Sequence, residues 1–439
     1  MGQGTQTKKP PASSALRWPV LLFAVVALCL AVWGGSMLDP DLLIAAFQEL
    51  WLGEPPRRAA GDPAPHDPPR LALRGPLEQT VYERGLVTRR ISAQSVLKEH
   101  QAFYYNTSQR VFAQTVVGFI SPWTPSAAES LWRFGRKLTH AAPVLYDAVD
   151  TGHLRCKLGE HGGERWLKWL RAASKADRGT AVRTAAPPRL VPLVSFEQLD
   201  LLDFFTGEGQ EARAGTLLVS LQETLLKHRL HGFVLDAHQY LARLASQERR
   251  LVQPAMHVFV QLLAAQLSEE GGELLLYVPP HPGLFSPTEF SQLYPALGGV
   301  ILQTANYSAI KGEPGPMAPL TWMRSALAAL KPPPEAEGKL IAAVPMVGWD
   351  FTLPDGPNRE LGAAAYLSLL RRYEAVGKFD WHEAGKEHAF KYSVDGVDHV
   401  AYFPSLRGLA ERVGVLRSLH VGAAFWEIGN SLDYFWDLM

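Results

Sequence analysis

The sequence predicts an α/β protein: a (β/α)8 TIM barrel with a small antiparallel β insertion between strands 7 and 8, preceded by an N-terminal transmembrane helix. Three observations predict it. Eight short apolar runs recur after residue 115, with amphipathic stretches between them. A charge-free run of bilayer length lies near the N-terminus, and a polar, aromatic segment with a turn signal separates the last two apolar runs.

Residues 1–17 carry Lys8, Lys9 and Arg17 and no acid, and read as a cytosolic tail. From Trp18 to Leu38 no residue is charged. A bilayer needs roughly 20 apolar residues, so this run is long enough to be a signal anchor. Trp18 and Trp33 sit near its ends, where aromatic belts form, and Asp39 and Asp41 follow it. The positive-inside rule then places everything after it in the lumen or outside the cell. The expectation is a single-pass membrane protein of the secretory pathway or cell surface; the alternative is secretion after signal cleavage at Gly34-Gly35-Ser36. Residues 39–80 read as a stem, with six prolines among positions 53–70 that exclude regular helix or ladder. The barrel is expected over 81–439. Asn106-Thr107-Ser108 and Asn306-Tyr307-Ser308 are glycosylation sequons; Asn106 is the expected acceptor.

The eight runs are Val116–Ile120, Ala142–Tyr146, Leu190–Val194, Gly232–Leu235, Leu274–Val278, Gly299–Leu302, Leu340–Val344 and Val421–Phe425. Runs apolar on both faces suit parallel strands covered by helices. Helical patterns lie at 217–228, 253–267, 320–330, 362–375 and 406–417. Eight such units over about 325 residues fit a decorated barrel, with a doubly wound open sheet as the alternative. The insertion is expected at about 377–404, as a hairpin turning at Asp395-Gly396.

Composition narrows the function. Lys+Arg and Asp+Glu are 43 each among 439 residues, which argues against a broad cationic face and so against nucleic acid as partner. Two cysteines, Cys29 and Cys156, exclude a disulfide scaffold and a cysteine-based metal site. His231 and His238 lie seven apart on a strand, so they face opposite sides and share no ion. No Gly-rich dinucleotide fingerprint follows a strand, so neither metal nor cofactor is expected.

Barrel function sits at the C-terminal strand ends. Those ends supply Trp123, Glu197, Asp236, His238, Asn306, Trp349, Asp350, Trp426 and Glu427. Indole faces stack on the C–H faces of sugars, and carboxylates and amides take their hydroxyls. Three tryptophans in this setting describe a carbohydrate groove.

The fourth run, His231-Gly232-Phe233-Val234-Leu235-Asp236-Ala237-His238, resembles the D-G-x-D-x-D-x-E strand of glycoside hydrolase family 18, the chitinases and their lectin-like relatives. Val117–Trp123, Val191–Val194 and Phe425–Gly429 with Leu432–Leu438 are similar to other strands of that family, in order. The resemblance covers roughly 80–439. It implies a substrate-assisted glycosidase, in which a terminal glutamic acid protonates the leaving oxygen and an aspartate two residues earlier orients the N-acetyl group. On this chain the acid's position is His238 and the aspartate's is Asp236. The earlier acids fall on Val234 and His231. The sixth-strand tyrosine and aspartate fall on Ala305 and Asn306, and the tryptophan flooring the sugar site is Trp426. The resemblance therefore implies a binder of chito-oligosaccharide-like chains with a degraded catalytic motif. An active glycosidase using Asp236 with a non-standard acid is the alternative, and a barrel whose groove takes a protein partner is the further one.

Overall fold

The computed structural model describes residues 74–124, 126–175, 186–354 and 356–439. The tail, the anchor and the stem as far as residue 73 lie outside the described residues.

Nine strands come first: β1 (Val116–Ile120), β2 (His140–Ala148), β3 (Leu154–Cys156), β4 (Arg189–Leu190), β5 (Leu193–Ser195), β6 (Gly232–Asp236), β7 (Glu273–Val278), β8 (Gly299–Leu302) and β9 (Leu340–Pro345). Five more form a separate sheet: β10 (Gly348–Thr352), β11 (Arg359–Leu361), β12 (Lys378–His382), β13 (Glu387–Val394) and β14 (Val397–Tyr402). Strand β15 (Gly422–Trp426) completes the set. Strands β1, β2, β5, β6, β7, β8, β9 and β15 pair in parallel, and β1 pairs both β2 and β15, so the sheet closes. All eight expected runs are barrel strands.

Alternation along each strand explains why these runs close into a barrel. One inner cluster gathers Val117 and Phe119 of β1, Leu193 of β5, Val234 of β6, Leu275 and Tyr277 of β7, Ile301 of β8, and small residues such as Ala343 and Ala424. Their strand neighbours Val116, Val194, Phe233, Leu235, Leu276 and Phe425 belong to the outer cluster under the helices. Successive side chains point to opposite faces, so an unbroken apolar run fills both layers.

The outer layer includes α1 (Ala127–Phe134), α2 (Gly159–Lys175), α3 (Gln210–Lys227), α4 (Ser246–Glu269), α5 (Leu320–Ala329), α6 (Ala363–Arg372) and α7 (Leu406–Ser418). The last five match the helical patterns in the sequence. In α4 the buried set Val252, Met256, Phe259, Val260, Leu263 and Leu267 follows the three-to-four spacing of a single apolar face.

The insertion is larger than the hairpin expected at 377–404. Its sheet has the order β11-β10-β14-β13-β12, all antiparallel, so it also takes in the segment after β9. The hairpin itself turns where expected. Val394 pairs Val397, and Asp395 and Gly396 have φ of 51° and 80°, the two left-handed residues that a two-residue turn requires.

Candidate functional site at the barrel mouth

The mouth lies at the C-terminal ends of the parallel strands. There Asp147 pairs Ser195 and Ser195 pairs Asp236, which sets three polar residues in one row across β2, β5 and β6. Each is 4% exposed. Asp236 and Ser195 face inward because Val234 and Leu193, two residues earlier, belong to the inner cluster. A register irregularity between Val144 and Tyr146 shifts the phase of β2 and brings Asp147 into the row.

Asp236 is the centre of this row. Its Oδ2 accepts from Gln239 Nε2 at 2.5 Å and from Tyr240 Oη at 3.3 Å. Its Oδ1 is buried without a hydrogen-bond partner among the described residues. Burial pushes its pKa up to about 7, against lowering by Tyr240, Gln239 and Lys157 and with a further raise from Glu197. Tyr240 Oη also pairs Ser195 Oγ at 2.8 Å. A buried carboxyl with one open oxygen is an expensive arrangement for folding alone, and it suits a ligand that brings its own donor.

Trp426 ends β15 half-buried over the inner cluster. It stacks on Tyr277 at 5.6 Å with planes 3° apart, and Phe119 tilts against it at 4.9 Å. The indole is fixed by two rings, an arrangement that presents a rigid face at the mouth. Burial, with Asp236 nearby, pushes the Tyr277 phenol well up. Ala305 lies in the inner cluster and Asn306 is exposed at the start of the short helix Tyr307–Lys311. Trp123 is 62% exposed on the loop after β1, and Glu197 is exposed on the loop after β5.

Four expected site residues are placed elsewhere. His238 does not share the side of Asp236. Strand β6 ends at Asp236, and Ala237 has ψ of −42°, so the two-residue alternation stops. The ring is 1% exposed and packs edge-on to Phe285 in the outer shell, 5.1 Å between centroids. Burial, then His257, lowers its pKa to about 3, so it is neutral at physiological pH and is no proton donor to a sugar in the mouth. Trp349 and Asp350 do not end the seventh barrel strand, which stops at Pro345; they lie on β10. Trp349 packs on the cluster of Met317, Phe351, Val400 and Tyr402. Asp350 is 1% exposed and accepts from Arg359 Nε at 3.0 Å and Tyr392 Oη at 2.8 Å, a tie within the insertion sheet. Glu427 is buried with a left-handed φ of 63°. Its carboxylate accepts from Ser121 Oγ and from Thr124 Oγ1, the latter at 3.0 Å, and so fastens the β1 loop instead of facing a ligand.

The sequence reading missed Asp147, Ser195 and Tyr277. Asp147 is the first carboxylate after the second apolar run, which was the available signal. At the first sequon, Asn106 Oδ1 accepts from Ser108 Oγ at 3.0 Å and from the Gln109 N–H at 3.1 Å, whereas Asn306 has no side-chain cap bond. Among the described residues no group of three or more His, Cys, Asp or Glu is placed to hold a metal ion. Cys156 is half-buried, and burial pushes its thiol up.

No protein-family model matches the chain. Solved structures do. A chitinase from Chromobacterium violaceum is similar over 74% of this chain and 98% of its own, with 18% identity and a TM-score of 0.59. The Bacillus cereus spore cortex-lytic enzyme SleL is similar over 74% and 73%, with 16% identity and a TM-score of 0.60. A family 18 chitinase from Cycas revoluta, in complex with (GlcNAc)4, is similar over 74% and 97%, with 16% identity and a TM-score of 0.57. The barrel has the fold of the glycoside hydrolase family 18 chitinases.

Proposed function

We propose that this chain is a chitinase-like carbohydrate-binding protein that holds an N-acetylated, chito-oligosaccharide-like chain in its barrel mouth with little or no hydrolysis. Within the family, its C-terminal segments resemble the subgroup of chitinase domain-containing protein 1. The carrying observation is the pairing of what is kept with what is gone. Asp236 sits buried at the mouth with an open oxygen, and the fixed ring of Trp426 ends another strand at the same mouth, while the acid's position holds a neutral histidine turned into the outer shell. Binding parts are kept, and the acid's own position, His238, supplies no proton to the mouth. The Cycas revoluta relative with (GlcNAc)4 bound supports the choice of probe. A second reading, slow hydrolysis using Asp236, draws on the raised pKa of that carboxyl.

The N-terminal run supports a membrane anchor with the barrel lumenal. Protection of the barrel from added protease in intact microsomes is the expected result. Calorimetry of the full-length chain with chitotetraose tests the binding reading. We expect binding that Trp426→Ala weakens by about 1–3 kcal/mol. A fluorogenic N-acetylglucosamine oligomer tests hydrolysis: turnover abolished by Asp236→Asn would replace the binder with the enzyme.

A further inference from the structure

We infer that the ligand of this mouth is an acidic oligosaccharide, whose carboxylate or sulfate is received by Arg155 and Lys157. The inference rests on the carbohydrate reading above and names the chemical class of that site's ligand.

Strand β3 is not a barrel strand. It pairs antiparallel with the upper part of β2, Tyr146 with Cys156, Asp147 with Arg155 and Ala148 with Leu154. The pairing of β1 with β2 ends lower, at Ile120 and Pro143. So β3 builds up the rim above the end of β1. Leu154 and Cys156 pack against the outer cluster, which turns Arg155 to the opposite, inner side. Lys157 follows with the same alternation, and both cations meet the inward carboxylate of Asp147. Arg155 Nη2 lies 3.0 Å from Oδ2 and Lys157 Nζ lies 2.7 Å from Oδ1.

Two cations share one carboxylate, and among the described residues neither forms an ion pair with a second acid. One positive charge is left over in contact terms. The Arg155 side chain is 55% exposed and that of Lys157 22%, so both reach solvent at the mouth. The next carboxyl along the row does not absorb the surplus. Asp236 titrates near 7 and is largely neutral below that, although Lys157 is close enough to influence it. Glu197 is exposed on the loop after β5 and, among the described residues, forms no ion pair with either cation. A neutral chitin chain has nothing to offer the surplus charge. An anionic group on the sugar does, because a guanidinium fork and an ammonium side by side suit a carboxylate or sulfate.

The test compares three hexasaccharides on the full-length chain in detergent: chitohexaose, which is neutral; hyaluronan, which carries carboxylates; and keratan sulfate, which carries sulfates. At low salt at least one acidic probe is expected to bind about tenfold tighter than chitohexaose. That preference is expected to shrink towards parity at about 1 M salt, where screening acts over roughly 3 Å. Which acidic probe wins identifies the anion. Arg155→Gln and Lys157→Gln should each remove the preference while melting like the parent, and Lys157→Arg should keep it. Equal affinity for all three probes, or a preference that survives both glutamine substitutions, overturns the inference and leaves the carbohydrate reading standing. Binding of none of the three overturns both.

Discussion

Asp236 at the barrel mouth and Glu387 at the foot of the insertion sheet are buried to nearly the same degree, 4% and 5% exposed, and are treated in opposite ways. Glu387 Oε1 accepts from the backbone N–H groups of His388 at 3.0 Å and Ser405 at 3.2 Å, and Oε2 accepts from Arg412 Nη1 at 3.1 Å. Arg412 itself is 2% exposed and spends its remaining donors on carbonyls, Ala318 at 2.9 Å, Gly408 at 2.7 Å and Gly385 at 3.2 Å. Gly408 is what lets α7 come this close: a Cβ there would lie 2.3 Å from the Glu387 carboxylate. Among the described residues Asp236 has no cation within ion-pair distance, and one of its oxygens is open. The Glu387 charge has a complete set of partners and belongs to the fold; Asp236, incomplete at the mouth of the barrel, is open to whatever enters.

The largest test of this contrast is Arg412→Leu. It strands Glu387 as an unpaired buried carboxylate and is expected to cost about 3–5 kcal/mol in chemical denaturation. A loss under about 1 kcal/mol would mean that the complete network is not what joins α7 to the insertion sheet.

Asp236→Asn should do the reverse. The folded pKa of about 7 stands above the ordinary 3.8, so folding takes up a proton. Stability from that source is full below pH 4 and is lost as pH rises through 7. The Asp236 share of the native chain's stability is therefore lost between pH 4 and 7. The asparagine variant lacks that loss, so its stability relative to the parent should rise between pH 4 and 7, leaving it at least as stable at pH 8. An identical pH profile for the two would remove Asp236 from its place as the strained group.

Tyr240→Phe is the smallest change. It removes one weak bond to Asp236 and the partner of Ser195, worth about 0.5–1.5 kcal/mol. It should also move the Asp236 titration, followed by carboxyl carbon NMR, to still higher pH, since Tyr240 lowers it.

The barrel was legible because its strands are buried on both faces, and unbroken apolar runs say so in any order of reading. The turn at Asp395-Gly396 was legible because few residue pairs accept two left-handed conformations. Side-chain direction at strand ends was not. The alternation rule carried His238 into the mouth, but Ala237 has left the extended region and the rule no longer applies. A bulge in β2 shifted Asp147 into the row, and no apolar pattern announces a bulge. Trp349 and Asp350 were assigned to a barrel strand because the break at Pro345 is followed almost at once by β10, and apolar character alone does not separate the two strands. The rim cation Arg155 sits on a three-residue strand too short to show a period, and Lys157 follows just after it.

The clasp of Glu427 on Ser121 and Thr124 has a consequence during synthesis. It lies at the seam where β1 meets β15, Val116 opposite Ala423 and Gly118 opposite Phe425. As the chain leaves the ribosome, β1 finds β2 early, but its other edge waits for some three hundred further residues. Until β15 arrives, that edge offers unpaired backbone groups to any strand that passes. Seam contacts of such long range make closure a late and slow event. The nascent protein thus spends most of its synthesis as an open sheet, and a ligand that needs Asp236 and Trp426 together has no site until the final strand is in place.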